Sequence, residues 1–236
     1  MQVSGLRSSP VHAALCLLAI LGGLTLAPRA EAQVLGAPGT LTVGVENITG
    51  YEATTRKFNN IDNIEITDTT TRFSLFLKNG ARIGVHYFLV PHVSLGGSLG
   101  YESTAGSVSQ PDAGGNYSVD KQTDTQFLLH FKAGYLLNLS NSAGFWFRAG
   151  PGMNRTSFHP NNTGEHVVHQ TFWTLGLDVL FVYAPVPMVG FFAGPTGDLS
   201  FVGRHSEDNI QPGNLSYSHS ASYRRLGLDF GLMGMF

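Results

Sequence analysis

Cysteine is almost missing. Cys16 is the only one among 236 residues, and it lies in an apolar run ahead of the small-x-small site Ala30-Glu31-Ala32. Cleavage there leaves a chain without a thiol, which excludes disulfides, thiolate metal sites and a cysteine nucleophile. A lipoprotein signal would put the cysteine at the cut itself, so that class is set aside. Charge is also scarce, at 13% of residues, and nowhere gathers into a basic run, so nucleic acid is not an expected partner. After residue 32 no apolar run approaches the roughly 20 residues a membrane-crossing helix needs. GxSxG, HExxH, P-loop and EF-hand spacings are absent. The Asn- and Asp-rich stretch from Asn59 to Asp68 does not follow the calcium-loop pattern, and no cofactor or metal is expected.

What is present begins with an export signal. Arg7 supplies a basic start, Val11 to Leu26 is largely apolar, and the small-x-small site follows. The formal net charge of −2 becomes −3 once Arg7, Arg29 and Glu31 leave with residues 1–32.

The most informative stretch is the last one, Tyr223 to Phe236, YRRLGLDFGLMGMF. Leu226, Leu228, Phe230, Leu232, Gly234 and Phe236 share one parity; Arg225, Gly227, Asp229, Gly231, Met233 and Met235 share the other. A period of two, with large apolar residues on one face and charge and glycine on the other, fits a strand between lipid and a polar interior.

Seven earlier segments carry the same alternation: Thr40 to Tyr51, Ala81 to Leu89, Val93 to Tyr101, Phe127 to Leu137, Phe145 to Met153, Trp173 to Tyr183 and Met188 to Phe201. Most approach the roughly 9–11 residues of a tilted transmembrane strand. The connections alternate too. Val90-Pro91-His92, Asn138 to Ser142 and Ala184 to Pro187 are tight, whereas 52–80, 104–122, 155–166 and 202–220 are long and polar. Short periplasmic turns and long external loops are the rhythm of an outer-membrane barrel. Thr71 to Lys78 also alternates and precedes Asn79-Gly80; it is read as an extension of the second strand above the membrane, or as a loop hairpin. Pro151 and Pro195, each after Ala-Gly, and the similarly placed Gly96-Gly97 are read as matched bulges or bends. Tyr87, Tyr135, Phe145, Tyr183 and Phe236 fall near the tight turns, and Tyr51, Tyr101, Phe127, Trp173 and Phe201 near the long loops, as two interfacial belts.

The charges take the face opposite the apolar one. Glu46, Arg82, His86, His130, Lys132, Arg148, Asp178, Asp198, Arg225 and Asp229 all point inward by parity, while Arg224 points outward near the loop rim. A mid-bilayer Arg or Lys facing lipid costs roughly 2–4 kcal/mol, so a barrel demands this segregation. Glu46, Lys132, Arg148, Asp178 and Asp229 each lie about six or seven residues from the periplasmic end, near one level at ~3.3 Å per residue. Lys132 and Arg148 then face a negative arc of Asp178, Asp198, Asp229 and Glu46. An eight-stranded barrel has room only for side chains or one small ligand. The candidate site is therefore a lumen charge network of Glu46, His86, His130, Lys132, Arg148, Asp178, Asp198, Arg225 and Asp229, forming a salt-bridged plug.

Loop histidines His159, His166, His169, His205 and His219 are expected outside the membrane. Ser218-His219-Ser220 is the nearest candidate for the chemistry of barrel enzymes that cut or transfer acyl chains, but it lacks the His-x-Ser spacing, since Ala221 follows Ser220. His166 and His169 would share a helix face, but they stand in a loop or strand.

The Phe-terminated strand, the export signal and the turn rhythm together resemble small outer-membrane β-barrel proteins, with the eight-stranded OmpA-membrane-domain and OmpX type the nearest architecture. RIGVHYFLVPHVSLGGSLGY and FFAGPTGDL also resemble a group of uncharacterised bacterial barrels. The expected fold is all-β, an eight-stranded antiparallel up-and-down transmembrane barrel with four long external loops. Residues 1–32 are the signal peptide, 33–38 a short periplasmic lead and 39–236 the barrel. The resemblance implies a monomer in the bacterial outer membrane, meeting outer-membrane lipid and lipopolysaccharide. It also implies that Leu228, Phe230, Leu232 and Phe236 form the signal read by the barrel-assembly machinery, from which Gly234 departs. The expected role is non-enzymatic, structural or surface-interacting. A narrow channel or small-ligand transporter and a lipid-modifying enzyme using loop histidines are the alternatives.

Overall fold

A computed structural model describes residues 35–59, 65–74, 81–111, 117–159, 166–209 and 217–236. The signal peptide expected at 1–32 lies outside the described residues. The described residues form strands and turns: β1 (Leu41–Asn59), β2 (Glu65–Ser74), β3 (Arg82–Val90), β4 (Val93–Pro111), β5 (Tyr117–Asn138), β6 (Ala143–His159), β7 (His166–Val186), β8 (Val189–Asn209) and β9 (Tyr217–Met235). Each pairs antiparallel with its neighbour, and β1 pairs with β9, so eight strands, β1 and β3 to β9, close a ring. Along the lipid-facing course this closure leaves no edge, the one way a sheet satisfies its backbone in lipid.

The ninth strand, β2, lies beside β1 above the point where β3 stops. β1 pairs with β3 from Leu41 to Glu46 and with β2 from Gly50 to Asn59. β2 and β3 run the same way along β1, so β2 occupies the upper course of the wall position that β3 fills below. This is the upward extension expected for Thr71 to Lys78, displaced toward the N-terminus; residues 75–78 lie outside the described residues. The four long connections are hairpins whose strands run on past the apolar belt, to Asn59 and from Glu65, to Pro111 and from Tyr117, to His159 and from His166, and to Asn209 and from Tyr217. Their Ser- and Thr-rich sequences lose the apolar face above the lipid but keep pairing their backbones, so hydrophobic alternation stops before the strand does.

The proline expectation needs correction. The β5–β6 ladder lapses between His130↔Gly152 and Ala133↔Ala149, and β7–β8 between Asp178↔Thr196 and Phe181↔Ala193, yet neither loses register there. Pro151 and Pro195 lack the amide proton and open the ladder toward the preceding strand without inserting a residue. Gly96 and Gly97 are paired on both sides. The extra residues sit elsewhere. Two lie in β1 between Val45 and Thr49, opposite Leu232 and Phe230, where Asn47 has φ 57°. One lies in β8, at Phe201. Asn tolerates the left-handed region better than most residues. At the periplasmic side, Pro91 and His92 form a two-residue turn with φ 68° at His92, the positive angle that a type II turn requires after proline.

Outside, Ile83, Val85, Leu95, Leu99, Phe131, Leu175, Leu177, Val179, Phe191, Leu199, Leu226, Leu228 and Phe230 are exposed, edged by Tyr87, Tyr135 and Tyr183 below and Tyr51, Tyr101 and Trp173 above. The interior is not polar throughout. Phe88, Leu136, Trp146, Leu180, Val182, Phe192, Met233 and Met235 fill its periplasmic end. Leu35 joins them, because residues 35–39 fold against that end: Gly39 N donates to Phe88 O at 2.8 Å, and His92 N to Gly36 O at 3.0 Å. Gly36 has φ 78°, and a Cβ there would lie 2.6 Å from the Leu136 side chain.

Leu177 faces lipid between Ala149 and Gly197. We expect Leu177→Arg to destabilise the folded barrel by roughly 2–4 kcal/mol in a urea titration in lipid vesicles, the cost of a cation at the bilayer midplane. An unchanged midpoint would contradict the lipid-facing assignment.

Candidate functional site in the lumen

Above the apolar floor the lumen is ionic. Glu46, Arg82, His86, His130, Lys132, Arg148, Asp178, Asp198, Arg225 and Asp229 all point inward, and none is more than 5% exposed. They come from every strand of the ring except β4. β4 leaves room instead, presenting Gly96, Ser98 and Gly100. A Cβ at Gly96 would collide with the His86 ring, and one at Gly100 would approach the Arg82 side chain to 2.9 Å. Gly152 likewise seats His130, and Gly176 seats Asp198 and Lys132.

The charges connect in alternating sign. Lys132 Nζ lies 2.7 Å from Asp178, which Arg148 also meets at 2.8 Å. Arg148 reaches across the lumen to Glu46, and Glu46 lies 3.7 Å from Arg82. Arg82 pairs with Asp229 at 2.8 Å, Asp229 with Arg225 at 3.0 Å, and Arg225 with Asp198 at 3.3 Å. Four cations and four anions thus form one chain that balances its own charge. Burying each ion costs several kcal/mol in real proteins, and only close pairing offsets that cost. His86 Nε2 contacts Arg148 at 3.2 Å, and His130 bridges Arg82 at 3.2 Å and Asp198 at 3.5 Å. Arg148 also rests over the Trp146 ring, its guanidinium carbon 4.8 Å from the centroid, which couples the ionic layer to the apolar floor.

Every charged residue that the sequence places in the lumen faces this layer, and Arg224, expected outward, is exposed. The sequence separated a positive sector from a negative arc; the structure adds Arg82 and Arg225 to the cations within that arc, so the signs interleave. Glu52, which the sequence reading missed, accepts from Arg225 Nε at 2.7 Å at the top of the network. Its even spacing from Glu46 is the available signal, hidden because the apolar alternation stops at Tyr51 while the strand runs on to Asn59. Beneath the network, Thr42, Glu46, His86, Trp146, Arg148, Phe192 and Met233 line a cavity of about 10 Å³, room for one water.

Above it the inward face carries Thr54, Asn154, Phe172, Gln170, His205 and Tyr223, all buried. His205 Nδ1 accepts from Gln170 Nε2 at 3.1 Å, its Nε2 donates to Glu207 at 2.9 Å, and the ring stacks on Phe58 at 4.4 Å between centroids. His205 is therefore inside the wall rather than in a solvated loop. His219 is its cross-strand partner, whereas Ser218 and Ser220 take the opposite face. Strand alternation thus parts the Ser218-His219-Ser220 triplet and removes it as a nucleophile–base pair. Ser157 and His169 do meet, Oγ to Nδ1 at 2.8 Å, on the outer face. The side chains of His159 and His166 lie outside those described. Among the described residues no cluster of His, Cys, Asp and Glu suits a metal.

Arg148→Ala would leave Glu46 and Asp178 buried without their shared partner. We expect a loss of about 3–5 kcal/mol and a lower unfolding temperature in detergent, the usual effect of breaking a buried pair from one side. Unchanged melting would contradict the network's structural role.

No protein-family model matches the chain, and no curated protein matches it in sequence. Solved structures do. The outer membrane protein OprG from Pseudomonas aeruginosa is similar with a TM-score of 0.53 at 10% identity, over 85% of this chain and 97% of that one. The outer membrane protease OmpT from Escherichia coli has a TM-score of 0.51 at 12% identity, over 84% and 97%. Neisserial surface protein A has 0.43 at 14%, over 84% and 99%. At these identities the likeness is one of fold, shared by proteins of different activity. With its closed ring, its apolar exterior and its paired charges within, the chain is a small eight-stranded β-barrel of the bacterial outer-membrane type.

Proposed function

We propose that this protein is a closed, non-enzymatic barrel that anchors its external hairpins in the outer membrane and uses them for structural or surface contacts. The observation that carries the reading is the lumen: a charge-balanced chain of ion pairs across the barrel, resting on a packed apolar floor. Conduction needs sites that an ion enters and leaves readily, and here the fixed charges already satisfy one another. The C-terminal strand supports recognition by the barrel-assembly machinery through Leu228, Phe230, Leu232 and Phe236. Leu228 and Phe230 are exposed to the outside, and Phe236 closes the ring on Leu41 through two backbone bonds of 2.8 Å.

One observation favours a second reading, a hydrolase acting on lipid: the outward Ser157–His169 pair. Lipid analysis of a deletion strain separates the two, since altered acylation would favour the enzyme. For the closed-barrel reading, the purified protein in a planar bilayer is expected to give no stable conductance steps. Reproducible single-channel openings of the wild type would overturn it in favour of a narrow channel.

A further inference from the structure

The outer wall above the apolar belt carries a cationic row that the lumen reading does not use. Arg155 on β6, Thr171 on β7, Arg204 on β8 and Ser220 on β9 are consecutive cross-strand partners, so their side chains share one face. Arg155, Arg204 and Ser220 are exposed. The next row toward the lipid is Met153, Trp173 and Val202, with Trp173 and Val202 exposed. The next row away from it is Ser157, His169, Ser206 and Ser218, three hydroxyls and one imidazole. Polar and apolar chemistry therefore meet along one line on the wall.

The two arginines stand two strand spacings apart, about 10 Å, across Thr171. Among the described residues no carboxylate lies within ion-pair distance of either, whereas exposed Lys57 is already neutralised by Glu65 at 3.1 Å. Arg204 is held in place by donating from Nε to Ser218 Oγ at 2.6 Å, and among the described residues its terminal nitrogens meet no other partner. Among the described residues Asp208 is the acidic group of this face, opposite Val167 beyond the hydroxyl row; Glu207 turns inward to His205. An arginine fork binds phosphate through paired, charge-assisted hydrogen bonds, and neighbouring hydroxyls add donors.

We propose that this face of β6 to β9 binds the phosphorylated head group of an outer-leaflet glycolipid, with Arg155 and Arg204 on phosphate and the acyl chains against Met153, Trp173 and Val202. The lipid is preferred over a soluble anion because the cationic row borders exposed apolar wall, so one molecule with both chemistries satisfies both rows. This site does not depend on whether the lumen is closed.

The full mature protein in detergent, titrated with bisphosphorylated lipid A and read by native mass spectrometry, tests the site. The wild type is expected to retain the lipid and to bind its dephosphorylated form at least about tenfold more weakly, as follows from losing a charged hydrogen bond. Arg155→Ala/Arg204→Ala is expected to lose the preference for phosphate, while Lys57→Ala keeps it. Equal binding of the two lipids by the wild type overturns the proposal, even if the double variant proves unstable. So does a folded double variant with unchanged preference. Competition by inorganic phosphate as strong as that by the lipid would overturn the assignment to a glycolipid.

Discussion

Eight buried ions of alternating sign, locked inside a cylinder too narrow to hydrate them, are the constraint on which the rest of this structure depends. Each guanidinium or carboxylate taken from water must meet an opposite charge at close range. Arg148 does so on two sides, with Asp178 on the adjacent strand and Glu46 across the lumen. That arrangement specifies the barrel as much as it fills it. A one-residue slip of β6 would turn Arg148 toward lipid and Phe147 inward, and β-strand register tolerates no half-measure. The lumen glycines follow from the same constraint. Gly96, Gly152 and Gly176 are small because His86, His130 and Asp198 occupy the space a side chain would need.

The lumen is layered rather than uniformly polar. Below the ions, Trp146, Phe88, Leu136, Phe192 and Met233 pack with Leu35 into a floor that water does not cross readily. Above them lie stacked rings, Phe172 on Tyr223 and Phe58 on His205, among amides and hydroxyls. Arg148 joins the lower two layers through its contact with Trp146. The packed floor and neutral ionic layer form a rigid foundation for hairpins that rise well beyond the lipid. Those hairpins continue the wall, so residues such as Gln170 and His205, three residues past Trp173 and Val202, remain interior above the aromatic belt.

Several features were legible from residues alone. The parity of Leu228, Phe230 and Asp229 told lipid from lumen, and it did so equally for Arg148 against Phe147 and for Asp178 against Leu177. The tight turn at Pro91-His92 was plain from its length. Other features were not. Proline at 151 and 195 resembled a bulge, but the real insertions, at 46–48 and at Phe201, carry no proline; the two extra residues in β1 keep the phase of the alternation, and the one at Phe201 reverses it and turns His205 inward. The apolar floor was hidden because Trp146, Phe192 and Met233 share the inward parity with the charges, and alternation reports a side rather than a depth.

The sequence by itself determined which side of the wall each side chain takes within the lipid belt, because successive residues of an unbulged extended chain point in opposite directions whatever their neighbours do. Only the tertiary structure decided which cation meets which anion, how deep the apolar floor reaches and how far the hairpins climb. Those depend on the stagger between strands and on two bulges, and a repeat of two residues encodes neither.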